Sequence, residues 1–182
     1  RSTQSNTLNY TTSDLYSKNG FVNNFGVYFK NLNATGKNDV KYKSNLQSEL
    51  LNIYELSSKL PFIKYSENRN NYLTPKVAFR INPSDMKNYS SSNRLITTDN
   101  IFDINRLGLT DSYESGKSLT FGLDYKIEDK SDIEKFLEIK LATNLRDTEE
   151  GKIPTSSSIN RTTSNLFGSV ENSFSDFFSL NY

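Results

Sequence analysis

The residues able to do chemistry in this chain are few. Asp147, Glu149 and Glu150 form an acidic run whose carboxylate oxygens could take a divalent cation. With no second cluster beside it, a solvated loop is the plainer reading. Asp111 and Glu114 are spaced for paired acid–base work, but no other catalytic group accompanies them. Arg106, next to Asn105, is a guanidinium fork of the kind that grips phosphate or carboxylate through two bonds. It could equally pin Asp103, Asp111 or Glu114 and hold its own loop. Gly116 and Gly122 lie in or beside a strand, with no Lys-Ser/Thr pair and no helix following, so they do not cradle phosphate. A glycine in a strand marks a bend or a close approach.

Composition narrows the field further. The 182 residues include no Cys and no His. That excludes a disulfide framework, a thiolate zinc site, imidazole ligands and every His-activated nucleophile. A net charge of +1 offers no footprint for nucleic acid. No run of apolar residues exceeds three, so a transmembrane helix, which needs about 18, is excluded. Hydrophobic residues are 34% of the chain, yet 13% is Phe plus Tyr, a large apolar payload.

What positions that payload is period-two alternation. Leu119, Phe121, Leu123, Tyr125 and Ile127 alternate with Ser118, Thr120, Gly122, Asp124 and Lys126. A strand sends successive side chains to opposite faces, so one face is greasy and the other wet. Leu73, Val77, Phe79 and Ile81 repeat the pattern, as do Leu137, Ile139, Leu141 and Leu145, then Leu166, Val170 and Phe174, and then Phe178, Leu180 and Tyr182. Phe21, Phe25, Val27 and Phe29 form a less regular set, and residues 6–16 a weak one. Residues 46–60 fit either an amphipathic helix through Leu46, Leu50, Ile53, Leu56 and Leu60 or a strand through Leu50, Tyr54, Leu56 and Leu60. The strand neighbours favour the strand.

Short and long connections alternate. Lys18-Asn19-Gly20, Glu128–Asp132 and Ser173–Asp176 are short, and Ser66–Asn71 is of medium length. Asn31–Lys43, Pro83–Tyr113 and Arg146–Thr162 are long. An outer-membrane barrel has this asymmetry. Lys76, Arg80, Asp124, Lys126, Glu138, Lys140 and Glu171 oppose the apolar stripes and could face a polar lumen. Tyr72, Tyr113, Tyr125, Phe174 and Tyr182, near strand ends, could form interfacial girdles. The fold class expected is all-β, an antiparallel up-and-down meander forming part of a large transmembrane barrel. Alternation alone also allows a soluble or cell-surface β-sandwich binding domain. A closed eight-stranded barrel is a further option, with residues 6–16 paired to 176–182.

One segment does more than alternate. Asn100-Ile101-Phe102-Asp103-Ile104-Asn105-Arg106-Leu107-Gly108-Leu109-Thr110-Asp111-Ser112-Tyr113-Glu114-Ser115-Gly116 runs into the strand Leu119-Thr120-Phe121-Gly122-Leu123. It resembles the barrel domain of the LptD family, outer-membrane LPS-assembly proteins, whose loop has the form N-L-F-x-x-N-R-F-x-G-x-D-R-x-E-x-G before a strand T-x-G-L. Asn100, Phe102, Asn105, Arg106, Asp111, Glu114 and Gly116 match. Ile101, Leu107 and Ser112 depart from the family's Leu, Phe and Arg, and Gly108 falls one place early. Leu60-Pro61-Phe62, Leu73-Thr74-Pro75 and Asn82-Pro83 resemble the family upstream. The resemblance implies that residues 1–182 are one segment of a larger barrel of about 26 strands, with about eight here and incomplete at both ends. It implies a place in the cell outer membrane and insertion of lipopolysaccharide into the outer leaflet with no bond broken, so no enzyme activity and no cofactor. The implied partners are lipopolysaccharide, the lipoprotein LptE in the lumen, outer-membrane lipids, and other Lpt bridge components reached through a periplasmic domain not present in this sequence.

Overall fold

The computed structural model describes residues 2–38, 43–175 and 178–181. The strands are β1 (Ser2–Thr11), β2 (Leu15–Tyr16), β3 (Val22–Thr35), β4 (Gln47–Lys59), β5 (Phe62–Tyr65), β6 (Arg69–Asn82), β7 (Gly116–Asp129), β8 (Phe136–Arg146), β9 (Phe167–Ser175) and β10 (Phe178–Asn181). They form one antiparallel sheet in the order β1-β3-β4-β6-β7-β8-β9-β10. β2 continues β1 along β3, and β5 continues β4 along β6. The ten strands therefore make eight staves of one up-and-down meander. The sheet is open: among the described residues β1 pairs with β3 and β10 with β9, not with each other. Phe177 and Tyr182, the ends of the last alternating set, lie outside the described residues.

Alternation, carried through the registers, sorts the side chains onto two faces. Val77 pairs with Phe121 and Phe121 with Thr143, while Leu56 pairs with Phe79 and Phe25 with Leu56. The same face holds Leu8, Tyr10, Val27, Phe29, Tyr54, Leu73, Leu119, Leu123, Tyr125, Ile127, Leu137, Ile139, Leu141, Leu145 and Val170. The charges on it, Lys117 at one end and Lys64, Arg69 and Asp129 at the other, sit at strand ends. Among the described residues nothing covers this apolar face. Phe121 is 42% exposed, and Leu8, Phe25, Leu56, Phe79, Leu123 and Leu141 are exposed as well.

The ambiguous 46–60 segment is strand. Paired with β3 along its length and with β6 over 54–59, β4 turns Leu50, Asn52, Tyr54, Leu56 and Ser58 to the apolar face; the helical spacing of its apolar residues arises because Leu51 and Ile53 are buried on the other face. β1 begins at Ser2, earlier than its apolar residues suggest, because Ser2–Asn6 are paired by Asn31–Thr35 of β3. That pairing also shortens the following connection to 36–46. Two prolines interrupt one seam. The Leu60 amide bonds the Pro75 carbonyl at 3.0 Å, but Pro75 has no N–H to return. β4 gives way to β5 at Leu60-Pro61, opposite that position, and the register resumes unchanged at Phe62↔Leu73.

All short turns lie at one end of the sheet and the three long connections, 36–46, 83–115 and 147–166, at the other. The apolar face accepts no charge near its middle. Phe121→Lys is expected to cost the full-length protein about 2–4 kcal/mol in a phospholipid bilayer, read from denaturant titration. An unchanged midpoint would put Phe121 in water.

Candidate functional site: the loop plug

The second face of the sheet is covered by loops over its long-connection half. Here the wall side chains are small or polar: Ala78, Ser118, Thr120, Ala142 and Asn144 are all buried. Most of the large buried apolar groups come from the loops, while β3 and β4 contribute Val22, Leu32, Leu51 and Ile53. Met86, Ile96, Ile101, Leu107 and Leu109 of 83–115 join Ile153 and Ile159 of 147–166, and the sheet adds Ala142, with half-buried Phe167 packed against the cluster. A second contact buries Tyr113 against Leu51 and Ile53. Polar bonds carry the loop across the face. Lys87 pairs with Glu49 of β4 at 2.5 Å, Asp99 with Lys140 of β8 at 3.1 Å, and the Thr98 and Ser169 hydroxyls meet at 2.8 Å. The two long loops also bind each other, through Lys152 to Asp85 and through the Lys152 carbonyl to the Tyr89 amide at 2.8 Å.

At the centre lies a buried carboxylate. Glu114 accepts from Arg106 Nε at 2.6 Å and Nη2 at 2.5 Å, and from Arg146 Nη1 at 2.5 Å. Arg106, 4% exposed, also donates to the Thr120 hydroxyl at 3.1 Å and the Ser118 hydroxyl at 3.3 Å. One ion triad thereby fastens the loop to β7 and β8. Burial alone would raise the Glu114 pKa, but Arg106, Arg146 and Arg80 outweigh it and hold the carboxyl down to about 2. Of the acids Arg106 could pin, the one it takes is Glu114.

The other motif residues serve the same loop. Asn105 brackets Leu109, donating to its carbonyl at 2.8 Å and accepting its amide at 3.0 Å. Asn100 accepts the Thr97 amide at 2.9 Å. Asp111 accepts the Tyr89 hydroxyl. Ser112, where the family has Arg, is fully buried and accepts the Lys87 amide at 3.0 Å. Gly108, one place early, has φ +60° and makes the turn. Gly116 has φ +84°, and a Cβ there would lie 2.8 Å from the Arg146 guanidinium. Phe102 packs on Gly122, where a Cβ would lie 2.7 Å from the ring, and Lys76 stands 4.4 Å from the ring centroid.

Lys76, Arg80, Asp124, Lys126, Glu138 and Lys140 all fall on this loop face by register. Each is paired on that face: Lys76 with Asp124 at 2.8 Å, Lys140 with Glu138 at 3.2 Å, Arg80 with Glu55 at 2.6 Å, and Lys126 with Glu128 at 3.0 Å. Two expected girdle aromatics are corrected. Tyr72 sits on the loop face, its hydroxyl donating to Glu128 at 2.5 Å, because it pairs with Lys126 in register. Tyr113 is enclosed beneath the plug. Tyr125 and Phe174 fall on the apolar face; Tyr182 lies outside the described residues. The acidic run is dispersed. Glu150 accepts the Ser115 hydroxyl at 2.6 Å and Asp147 accepts that of Thr148 at 3.4 Å, and no acidic group suited to a metal gathers among the described residues. Arg146 escaped the sequence reading, although it continues the Glu138, Lys140, Ala142, Asn144 phase of its strand.

The model of the family described as LPS transport system D, LptD, matches residues 5–182. The chain belongs to the LptD family. No curated protein matches it. In this LptD-family chain, the loop built around Glu114 is packed on the sheet and held there by its own polar bonds.

Two outcomes test the plug. The Glu114 carboxyl titrates lower in the folded chain than its ordinary 4.5. Its stabilisation, about 3 kcal/mol from that shift, is whole above pH 4.5 and is lost as pH falls towards 2. Proteolysis of loop 83–115 should rise over that window, and Glu114→Gln should make the loop labile at neutral pH, leaving two buried guanidiniums unbalanced at a cost of about 3–5 kcal/mol. Gly122→Ala should displace Phe102 and expose the loop to trypsin, and adding Phe102→Ala should restore protection.

Proposed function

We infer that this chain forms wall strands of an outer-membrane barrel that inserts lipopolysaccharide into the outer leaflet. The observation that carries the reading is the division of one sheet into a bare apolar face and a charged face stopped at one end by loops, in a member of the LPS transport system D family. The apolar face would lie against outer-membrane lipid. The loop face would line the lumen, with its short-turn half open to the periplasm and to the lipoprotein LptE. Other Lpt bridge components would deliver the glycolipid through a periplasmic domain. Further strands would complete the wall, because the free backbone groups of β1 cannot face lipid unpaired. No bond is made or broken in this work, so the protein acts as a conduit and not as an enzyme.

The pairing of lumen charges supports the same reading. Where its cations are paired with carboxylates, the wall lets an anionic sugar slide past without trapping it, since tight binding at every site would stop passage. Depletion of the full-length protein from cells is the test. Surface lipopolysaccharide, measured with an impermeant label, should fall while lipopolysaccharide accumulates inside the envelope. Undiminished surface label after depletion would refute the reading.

A further inference from the structure

Below the plug, the loop face carries a charge arrangement that a neutral conduit does not need. Lys59 of β4 and Lys76 of β6 are direct cross-strand partners. The Leu60-to-Pro75 bond marks the next pair as the hydrogen-bonded kind, so Lys59 and Lys76 occupy a non-bonded position, where side chains stand closest. Like charges placed there repel. The nearby acids are held by other groups: Asp124 by Lys76, Glu55 by Arg80, and Asp14 by the Asn24 amide at 2.9 Å. Of the three cations Lys59, Lys76 and Arg80, Lys59 is the one with no carboxylate in contact among the described residues.

Space lies at the same place. A cavity of about 180 Å³ is walled by Asn24, Glu55, Ser57, Lys59 and Lys76, with Phe102 of the plug also lining it. The Phe102 ring holds the Lys76 ammonium 4.4 Å from its centroid. Arg80, bonded to the Glu55 of this wall, has Nη2 buried with no partner, so a further donor stands unspent. We propose that Lys59 and Lys76 form an anion-binding subsite under the plug that takes the phosphate or carboxylate of a glycolipid head group. An ammonium is a compact charge on a flexible stem, suited to contacts that form and release. The subsite rests on the reading of the loop face as the glycolipid path.

Binding of lipopolysaccharide to the full-length protein in detergent tests it. Lys59→Gln should weaken binding about tenfold, the loss of one charge-assisted contact, and Lys59→Arg should keep it. Repeating the comparison with enzymatically dephosphorylated lipopolysaccharide identifies the anion. If the Lys59 dependence vanishes, the group is phosphate; if it persists, the group is a sugar carboxylate. Equal binding of lipopolysaccharide by wild type, Lys59→Gln and Lys59→Glu overturns the subsite and leaves the transport reading standing. Failure of the wild type to bind any form removes both.

Discussion

Period two is the constraint on which the rest depends. A strand that gives its large side chains to one face has only the alternate positions left for the other, and over β6 to β8 beneath the loops those positions include Ala78, Ser118, Thr120, Ala142 and Asn144. Such a stretch of wall cannot build an apolar core by itself. Most of the enclosed hydrophobic volume is therefore carried in by the connections: Ile101, Leu109, Ile153 and Ile159, all fully buried, belong to loops, with Leu51 and Ile53 of β4 adding to it from the sheet. This reverses the usual division of labour, in which regular elements hold the core and loops run over the surface.

A core built by loops needs anchoring to its wall, and the buried Glu114 triad supplies it. Separation of two guanidiniums from their carboxylate in a dry interior costs far more than the pair contributes when intact. The arrangement is thus closer to a clasp than to a glue: of modest net worth closed, costly half open. The residues around it make the fit possible. Gly116 leaves room for the Arg146 guanidinium and Gly122 for the Phe102 ring, so the glycines of the motif are explained by what presses on them.

Much of the sheet was legible because alternation is a local signal. The β6, β7 and β8 stripes, and the sense of every charge opposite them, follow from side-chain phase alone. What was not legible depended on partners far along the chain. Ser2–Asn6 carry almost no strand signal and become strand because β3 lies beside them. Leu46–Leu60 read two ways until both neighbours set the phase. Arg146 was in phase with Lys140 but lay beyond the last clear apolar alternate. Tyr72 and Tyr113 were read by their nearness to strand ends, whereas face and enclosure decide where an aromatic points.

The proline-broken seam between β4–β5 and β6 has a mechanical meaning. Everywhere else from β3 to β8 adjoining staves are stitched without a gap, so the wall resists shear as a sheet does. At Leu60-Pro61 and Pro75 one stitch is missing and a carbonyl is left over, while the β6–β7 ladder alongside stays whole. A load on the wall would concentrate on that dropped stitch. The fabric can pleat there, a short distance beneath the stopper, without any ladder having to tear.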